Sequence, residues 1–254
     1  LGQNARTLNW QFQRAKINKH RPLDYILSDK YLVRDYIKIK LGSDYLIPLL
    51  GVYKMTNEIN FQDFSYPIVI KNTHSSGNVI VARDIKDITN EKLESLNNSL
   101  KENFFHLTSE RQYKFIKPRI IVEKCLLDSN NKLPNDYKFH CFKGEVSFIY
   151  CSIDREGLNY RKIYNKIWEP LDVTWSKVNK EDQFNGPDIK SPYKLGEMIS
   201  IAEYLSKRTN YCRIDLYVVN NVIYFGEYTH YHGGGLHPIK PEKYNRLWGA
   251  MYMD

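Results

Sequence analysis

The segment RIDLYVVNNVIYFGEYT, residues 213–229, predicts a β-hairpin that decides much of the fold. Two apolar, β-prone runs flank Asn220 and Asn221, and an Asn-Asn pair between such runs is typical of a tight turn. With the turn at these asparagines, Asp215 and Glu227 lie about opposite each other. Two carboxylates so placed repel each other unless a cation lies between them. The segment therefore predicts a carboxylate pair on one face of a hairpin, with ordinary surface carboxylates as the alternative.

The ligand types favour magnesium at this pair. Hard oxygen ligands from two side chains, with positions left for water or phosphate, suit Mg²⁺ better than a closed zinc cage. A zinc site built from His230, His232 and His237 is the alternative, but no fourth ligand is evident in the sequence. Residues 233–235 are all glycine and make a poor scaffold for fixed ligands. They predict instead a sharp turn of the chain.

Length, charge and cysteine content narrow the class of protein. The chain has 254 residues, 42% hydrophobic and 26% charged, as in a globular protein of one large domain or two to three small lobes. No segment resembles a membrane-spanning helix or a signal peptide, so the protein is expected in the cytoplasm. The four cysteines are expected as buried thiols rather than as disulfides or zinc ligands: Cys125, Cys141, Cys151 and Cys212.

The net charge of +8 is compatible with nucleic acid, anionic lipid or a phosphorylated substrate. Lys and Arg are scattered, and no nucleic-acid-binding motif accompanies them. No nucleic acid partner is expected. Peripheral association with an anionic inner membrane stays open.

The order of elements predicts an α+β fold with antiparallel sheets in at least two lobes. Residues 1–50 have helical spacing, and PIVIK and NVIVAR predict a hairpin whose turn contains Ser75, Ser76 and Gly77. Further along, the predicted elements are a polar helical segment at 85–115, a strand at 119–126, a hairpin at 136–156 that turns at Lys143 and Gly144, a long excursion at 157–192 and a helix at 193–208.

Three basic residues stand in or next to apolar strands. Lys71 ends PIVIK, Lys138 lies between two aromatic residues, and Arg213 precedes Asp215 by two positions. A single lysine at a strand end is usually a solvated edge. Three cations with two carboxylates are what a nucleoside triphosphate requires, because its charge must be neutralised by Lys, Arg and Mg²⁺. The GxxxxGK[ST] and GxGxxG motifs are both missing from the sequence, which disfavours a Walker-type or Rossmann site.

The order of these motifs resembles the ATP-grasp superfamily. More closely, the chain from about residue 20 onward is similar to the TupA-like ATP-grasp family of bacterial surface-polysaccharide clusters, associated with teichuronopeptide synthesis. The motifs that carry this resemblance are DKYLVRDYI, YLIPLLGVY, DYKFHCFKG, IDRE, RIDLYVVNNVIYFGEYT and LWGAMYMD. The resemblance implies two antiparallel-sheet lobes that clasp ATP, preceded by a mainly helical region. It divides the chain into a helical substrate or cap region at 1–62, a small lobe with a phosphate-covering loop at 63–122, and a magnesium-binding lobe at 123–254.

The resemblance also implies nucleotide contacts by position. Lys71 matches the phosphate-binding lysine, and Ser75, Ser76 and Gly77 match the mobile loop over the β- and γ-phosphates. In the hinge string EKCL, Glu123 would accept from the adenine amino group, and backbone groups of Lys124, Cys125 and Leu126 would read the base. The resemblance also implies that Asp136, or alternatively Asp128, contacts the ribose hydroxyls. Lys138 and Arg155 are the candidates for contact with phosphate or carboxylate.

The resemblance implies catalytic and metal-binding roles for the hairpin at 213–229. Arg213 would steady the acyl phosphate and its tetrahedral successor, Asp215 would hold magnesium, and Glu227 would bridge two Mg²⁺ ions. Thr229 stands where the superfamily usually has Asn. Because a hydroxyl is a weaker magnesium ligand than an amide carbonyl, this departure puts the second metal ion in doubt.

The implied function is an ATP-dependent carboxylate-amine ligase of capsule or other surface-polysaccharide synthesis. Its substrates would be an acidic sugar or glycan precursor, such as a uronic acid, and an amine from an amino acid or amino sugar. The alternatives are a sugar or polysaccharide kinase on the same fold, and a non-catalytic nucleotide-binding partner of a glycosyltransferase. Four residues near the N-terminus are either anionic-substrate ligands or plain surface residues: His20, Arg21, Lys30 and Arg34.

Overall fold

The computed structural model describes residues 7–18 and 21–253. The chain forms two compact units. The central unit is Lys19–Leu126, and the C-terminal unit is Leu1–Asn18 together with Leu127–Asp254. Each has its own sheet and its own apolar core.

Helices and antiparallel strands are interspersed along the chain, as an α+β fold requires. The helices are α1 (Leu8–Lys16), α2 (Pro22–Ser28), α3 (Val33–Lys40), α4 (Asn90–Leu100), α5 (Phe104–Thr108), α6 (Leu195–Ser206) and α7 (Glu242–Met253). The strands are β1 (Leu49–Tyr53), β2 (Ile68–Asn72), β3 (Val79–Ala82), β4 (Ile120–Lys124), β5 (Asp136–Phe142), β6 (Glu145–Ile153), β7 (Tyr160–Asn165), β8 (Thr174–Trp175), β9 (Tyr211–Val219), β10 (Val222–Thr229) and β11 (Ile239–Lys240).

The central unit is built on a four-stranded antiparallel sheet in the order β1-β4-β2-β3. Even-numbered residues of β2 and β4, such as Ile70 and Val122, are buried together with Leu96 of α4. Since strand side chains alternate between faces, odd-numbered residues such as Lys71 and Glu123 lie on the opposite face. The predicted hairpin of β2 and β3 is confirmed by their antiparallel pairing.

The C-terminal unit is built on a five-stranded antiparallel sheet in the order β10-β9-β5-β6-β7, with β8 and β11 as a separate pair. Helix α6 packs on the face that carries Cys141. The opposite face is apolar at one end, where Phe148 stacks on Trp248 of α7 with ring centroids 3.9 Å apart and Phe12 of α1 joins the same core. The other end of that face carries charged side chains.

The hairpin of β9 and β10 contains a β-bulge. Asn220 and Asn221 have φ values of 50° and 62°, which confirms the predicted tight turn, and Phe225 lies opposite Leu216. Beyond that pair Glu227 lies opposite Asp215, so Gly226 is an extra residue. In an unbulged register Gly226 would face Asp215, and the Glu227 side chain would point to the other face of the sheet.

A side chain at position 226 would not fit in this bulge. A Cβ there would come within 2.7 Å of the Tyr217 ring and 3.2 Å of the Asp215 carbonyl oxygen. Glycine therefore allows the ring to lie across the bulge.

The segment at 157–192, expected as a long excursion, contains β7, which completes the large sheet, and β8. The three-part division at 1–62, 63–122 and 123–254 stays a prediction. Within the compact units, β1 pairs with β4 and α1 packs against α7.

All four cysteines are buried thiols, as predicted, and none forms a disulfide within the described residues. Across residues 7–18 and 21–253, every helix is too short or too polar to cross a membrane.

We expect Gly226→Ala to lower stability, because its Cβ overlaps the Tyr217 ring and overpacking of this kind costs about 1–3 kcal/mol. Gly196→Ala is the matched control, since a Cβ at this exposed position in the first turn of α6 meets no atom within 4 Å. Alanine should stabilise that helix by up to about 1 kcal/mol. Urea unfolding followed by circular dichroism measures both changes, and equal stability of the two variants would contradict the account of the bulge.

Candidate functional site

Charged side chains from three neighbouring strands meet on one face of the C-terminal sheet. Lys138 of β5 and Glu227 of β10 both lie directly opposite Asp215 of β9. Residues directly opposite on antiparallel strands share a face. The structure thus brings together the predicted magnesium ligands and one predicted phosphate contact.

Arg213 is the centre of this charged cluster. Its Nε and Nη2 donate to the two carboxylate oxygens of Asp215 over 2.6 and 2.7 Å, and Nη2 also donates to Glu227 Oε2 over 3.0 Å. Its Nη1 bonds His232 Nδ1 over 2.9 Å. The planar guanidinium is therefore held from three sides, which fixes its orientation.

Lys138 joins the cluster to Asp136. Its Nζ donates to Asp215 Oδ2 over 2.8 Å and to Asp136 Oδ2. Asp136 Oδ1 is buried and lacks a hydrogen-bond partner within the described residues. A buried carboxylate oxygen left this way is costly, so it is suited to a ligand that brings a donor or a cation.

Burial and neighbouring charges set the protonation of the cluster. Although burial disfavours the charged form, Asp215 and Glu227 hold the pKa of Arg213 above its ordinary value. Burial raises the pKa of Asp215, while Arg213 and Lys138 oppose that rise. Burial, with Arg213 beside it, holds the pKa of His232 well below its usual range. The imidazole is therefore neutral, and its Nδ1 can accept from the guanidinium.

Two other predicted residues lie at the edges of the cluster. The Thr229 hydroxyl donates to Glu227 Oε2 over 3.4 Å, which places it next to another predicted magnesium ligand. Arg155 lies over the Tyr217 ring at 5.4 Å and donates to the Pro134 carbonyl oxygen over 3.3 Å. The structure thus brings Thr229 into the cluster and places Arg155 on an aromatic ring beside it.

The central unit has a smaller charged site of its own. Lys71 Nζ lies 2.6 Å from Glu123 Oε2, and Arg34 Nη1 lies 2.8 Å from Glu123 Oε1. Arg34 also donates to the Ile47 carbonyl oxygen over 2.7 Å. The predicted phosphate-binding lysine and the predicted adenine acceptor therefore share one face, with Arg34 as a third member.

The predicted hinge has part of its backbone already engaged. The N–H of Lys124 donates to the Pro48 carbonyl and that of Cys125 to the Pro67 carbonyl, both over 3.0 Å. These two N–H groups are satisfied within the central unit. The backbone groups that remain for the predicted adenine contacts are the carbonyl groups of the hinge and the backbone of Leu126.

The loop predicted to cover the phosphates has an anchored part and an exposed part. Ser75 is buried, and its carbonyl oxygen accepts from Lys30 Nζ over 2.7 Å. Ser76 and Gly77 are exposed, and Gly77 has a φ of 93°, which favours glycine. Only these two residues of the predicted set lie at the loop tip.

The basic residues near the N-terminus mostly have structural partners. Arg21 pairs with Asp24 over 2.8 Å, Lys30 donates to the Ser75 carbonyl oxygen, and Arg34 pairs with Glu123. His20 lies outside the described residues.

The three glycines approach α1 closely. Gly233, Gly234 and Gly235 have φ values of 58°, 60° and 67°, so the predicted sharp turn is confirmed. Lys16 Nζ donates to the Gly234 carbonyl over 2.7 Å, and a Cβ on Gly235 would lie 2.7 Å from Phe12.

The histidines do not form the alternative zinc site. His232 directs Nδ1 at the Arg213 guanidinium, a cation that repels a metal ion. In residues 7–18 and 21–253, no group of three or more His, Cys, Asp or Glu could hold a metal ion.

The sequence did not reveal several residues around the cluster. His140 is fully buried between Phe148 and Trp175, and it hydrogen-bonds the Tyr211 hydroxyl over 2.9 Å. Arg161 lies on β7, in the stretch expected as a long excursion. The only available signal was the alternation in DYKFHC, which places His140 on the face of Lys138.

Comparison with family models gives one match. The model described as TupA-like ATPgrasp matches residues 7–253. No curated protein matches the chain.

Several solved structures are similar in fold. The L-amino acid ligase from Bacillus licheniformis aligns with a TM-score of 0.52 and 14% identity over 92% of this chain and 51% of the other. The D-alanine–D-alanine ligase from Bacillus anthracis complexed with ATP gives 0.47 and 15%, over 80% and 53%. The ATP-grasp ligase PsnB, complexed with a phosphomimetic variant of minimal precursor, Mg and ADP, gives 0.43 and 11%, over 82% and 50%. The chain spans about half the length of each of these structures.

We expect Arg213→Met to destabilise the C-terminal unit by about 3–5 kcal/mol, because it leaves Asp215 buried with only the Lys138 ammonium to compensate its charge. Arg246→Met is the control, since Arg246 pairs with Glu242 at an exposed position of α7 and should change stability by less than about 1 kcal/mol. Urea unfolding measures both. Adding Asp215→Asn to Arg213→Met should restore part of the loss, and a strictly additive double variant would contradict the coupling.

Proposed function

The chain belongs to the TupA-like ATP-grasp family and has the ATP-grasp fold, and from this premise we propose that it is an ATP-dependent carboxylate-amine ligase. The observation that carries the proposal is the charged cluster, in which Arg213 and Lys138 share a sheet face with Asp136, Asp215 and Glu227. Such a cluster can bind phosphate oxygens and a divalent cation side by side.

Two carboxylates and one hydroxyl of the cluster support the proposal of magnesium, whose other ligands would be phosphate oxygens and water. Three carboxylates face two cations, which leaves an excess charge of −1, and Asp136 Oδ1 is a buried oxygen without a partner among the described residues. Asp215, Glu227 and the Thr229 hydroxyl would hold Mg²⁺, the first two through carboxylates. A bound Mg²⁺ would supply charge neutralisation for the transferred phosphoryl group. A second ion bridged by Glu227 is part of the proposal and depends on the Thr229 hydroxyl.

The proposed reaction has two steps. A substrate carboxylate oxygen attacks the γ-phosphorus of ATP, which forms an acyl phosphate and releases ADP. The amine then attacks the acyl carbon, the C–N bond forms as inorganic phosphate leaves, and the amine loses one proton to solvent or a base. In both steps negative charge gathers on oxygens, and the fixed guanidinium of Arg213 is placed to stabilise it.

In the central unit, Lys71 is the proposed phosphate ligand and Glu123 the proposed adenine acceptor. Together, Lys71, Arg34 and Glu123 carry an excess charge of +1, which suits an anionic ligand. Ser76 and Gly77 are exposed and offer backbone N–H groups for phosphate. Asp136 stays the proposed ribose contact, although its place beside Lys138 also suits the metal end of the nucleotide.

The proposed substrates are a uronic acid and an amino acid or amino sugar, used in surface-polysaccharide synthesis. The net charge of +8 supports an acidic glycan or its lipid-linked precursor, including weak attachment to an anionic membrane surface. No feature of the described residues points to nucleic acid.

Incubation with ATP, Mg²⁺ and paired panels of uronic acids and amino acids tests the activity. We expect phosphate release that requires both partners, together with a product whose mass is that of the two substrates minus water. A phosphorylated sugar without an amine requirement would identify a kinase instead. Lack of binding to a non-hydrolysable ATP analogue with Mg²⁺ in calorimetry would exclude both enzymes.

Glu227→Gln should lower kcat by about a hundredfold or more, because it removes a charge that acts on the reacting phosphoryl group. The fold should persist, since the glutamine carbonyl can still accept from Arg213. Glu94→Gln, an exposed glutamate on α4, should leave kcat unchanged. A fully active Glu227→Gln enzyme would overturn the assignment of the metal site.

Lys71→Met should weaken ATP binding by about tenfold to a hundredfold, the range for a hydrogen bond to a charged group. Lys86→Met is the matched control, as Lys86 is exposed in the same unit. Calorimetric titration with an ATP analogue measures both, with thermal unfolding to confirm that the Arg34–Glu123 pair still supports the fold. Equal affinities of the two variants would remove Lys71 from the nucleotide site.

A further inference from the structure

A cavity of about 320 Å³ lies in the C-terminal unit beside the charged cluster. Its volume is at the lower end of small-molecule sites and fits a group of monosaccharide size. Strands β5, β6 and β7 supply one wall, and the segment from β8 to residue 183, with His232 and His237, supplies the rest. We call it the basic cavity.

Its charge is strongly one-sided. Four of its lining residues are cations, Lys138, Arg161, Lys177 and Lys180, and the lining includes no Asp or Glu within the described chain. Lys138 is neutralised by Asp136 and Asp215. The remaining three leave a charge of about +3 around a concave site, where low-dielectric walls strengthen the field on a bound anion.

Two acidic residues, Glu181 and Asp182, follow Lys180 directly, and neither lines the cavity. The Glu181 carboxylate pairs with Lys240 over 3.4 Å. Lys177 and Lys180 are themselves exposed, so their charges are tolerated without a ligand and their side chains can rearrange around one.

The cavity also carries groups suited to hydroxyls. Ser152, Ser176 and Gln183 line it, and the buried Trp175 has an indole Nε1 that lacks a hydrogen-bond partner in the described part of the chain. A buried N–H left unpaired costs free energy that a ligand oxygen can recover. Burial raises the pKa of Tyr150 to about 12, so its phenol stays protonated.

The cavity is continuous with the charged cluster through two shared side chains. Lys138 and His232 line it, and they also bond Asp215 and Arg213 respectively. A molecule in the cavity therefore lies next to the guanidinium proposed to stabilise the reacting oxygens.

We propose, on the basis of the proposed ligase function, that the basic cavity binds the acid substrate and that this substrate carries a second anionic group besides its reacting carboxylate. The reacting carboxylate lies at the Lys138 and His232 end. The second group, a phosphate or another carboxylate on a hydroxylated skeleton, is held by Arg161, Lys177 and Lys180. A substrate with one carboxylate brings one negative charge to a cavity with about three uncompensated positive charges, whereas a substrate that also carries a phosphate brings about three.

Calorimetric titration of the full chain, without ATP or Mg²⁺, tests the proposal with four probes. D-glucuronate 1-phosphate has a carboxylate and a phosphate, D-glucarate has two carboxylates, D-glucuronate has one, and D-glucose has none. We expect at least one of the two doubly substituted acids to bind at least about tenfold more tightly than D-glucuronate, and D-glucose to give no heat. The stronger of the two identifies the second group as phosphate or carboxylate.

The double variant Lys177→Gln/Lys180→Gln should reduce that difference to about threefold or less. Lys190→Gln, which changes an exposed lysine beyond that segment and outside the cavity lining, should preserve it. Three results would each overturn the proposal. The first is equal affinity for probes with one and two anionic groups, the second is an affinity difference that persists in the double variant, and the third is no binding of any probe. Because ATP is left out, these results stand apart from the ligase assay and from the Lys71→Met titration, whose failure would overturn the proposed function instead.

Discussion

The extra residue at Gly226 determines which face of β10 carries Glu227, and the charged cluster depends on that register. A tight Asn-Asn turn alone would place Gly226 opposite Asp215 and send the Glu227 carboxylate to the face packed by α6. One bulged residue brings it beside Asp215 instead. Arg213 can then bridge both carboxylates with a single guanidinium.

That register has an energetic cost which the cations offset. Asp215 is almost fully buried, and an isolated carboxylate in such a place would lose several kcal/mol of hydration. Two guanidinium bonds and one ammonium bond replace the lost water contacts. Buried pairs of this type contribute little net stability, so the arrangement is better explained by what it can bind than by what it adds to folding.

The sequence was sufficient for features set by local chemistry. The turn at Asn220 and Asn221 follows from residues that tolerate positive φ, and the turn at residues 143 and 144 is likewise confirmed, with φ values of 50° and 89°. To predict the contact of Lys71 with Glu123, one must also know that β2 and β4 are neighbours in the sheet. In the observed register, the odd-numbered residues of both strands lie on the same face. The family resemblance then supplied roles that spacing alone leaves open.

Features set by distant contacts were not accessible from the sequence. Strand β7, with the sequence YRKIYN, shows little alternation between polar and apolar residues, because the charged Arg161 lines the cavity. Its sequence pattern therefore does not predict a strand. Helix α1 joins the C-terminal unit only because Phe12 packs against Tyr231 and Tyr252, which are far from it along the chain. The bulge at Gly226 leaves no distinct pattern, since a glycine in a strand has several explanations.

The two sites of the C-terminal unit have opposite charge and share a boundary. The cluster around Arg213 has one more carboxylate than it has cations. The basic cavity has three cations besides Lys138, and its described lining contains no carboxylate. Lys138 and His232 lie between them. A substrate with negative groups at both ends would be drawn into the cavity yet held away from the carboxylates unless a cation lay between. Metal binding at the cluster would therefore strengthen acid binding in the cavity, and by thermodynamic linkage the acid would strengthen metal binding by the same factor.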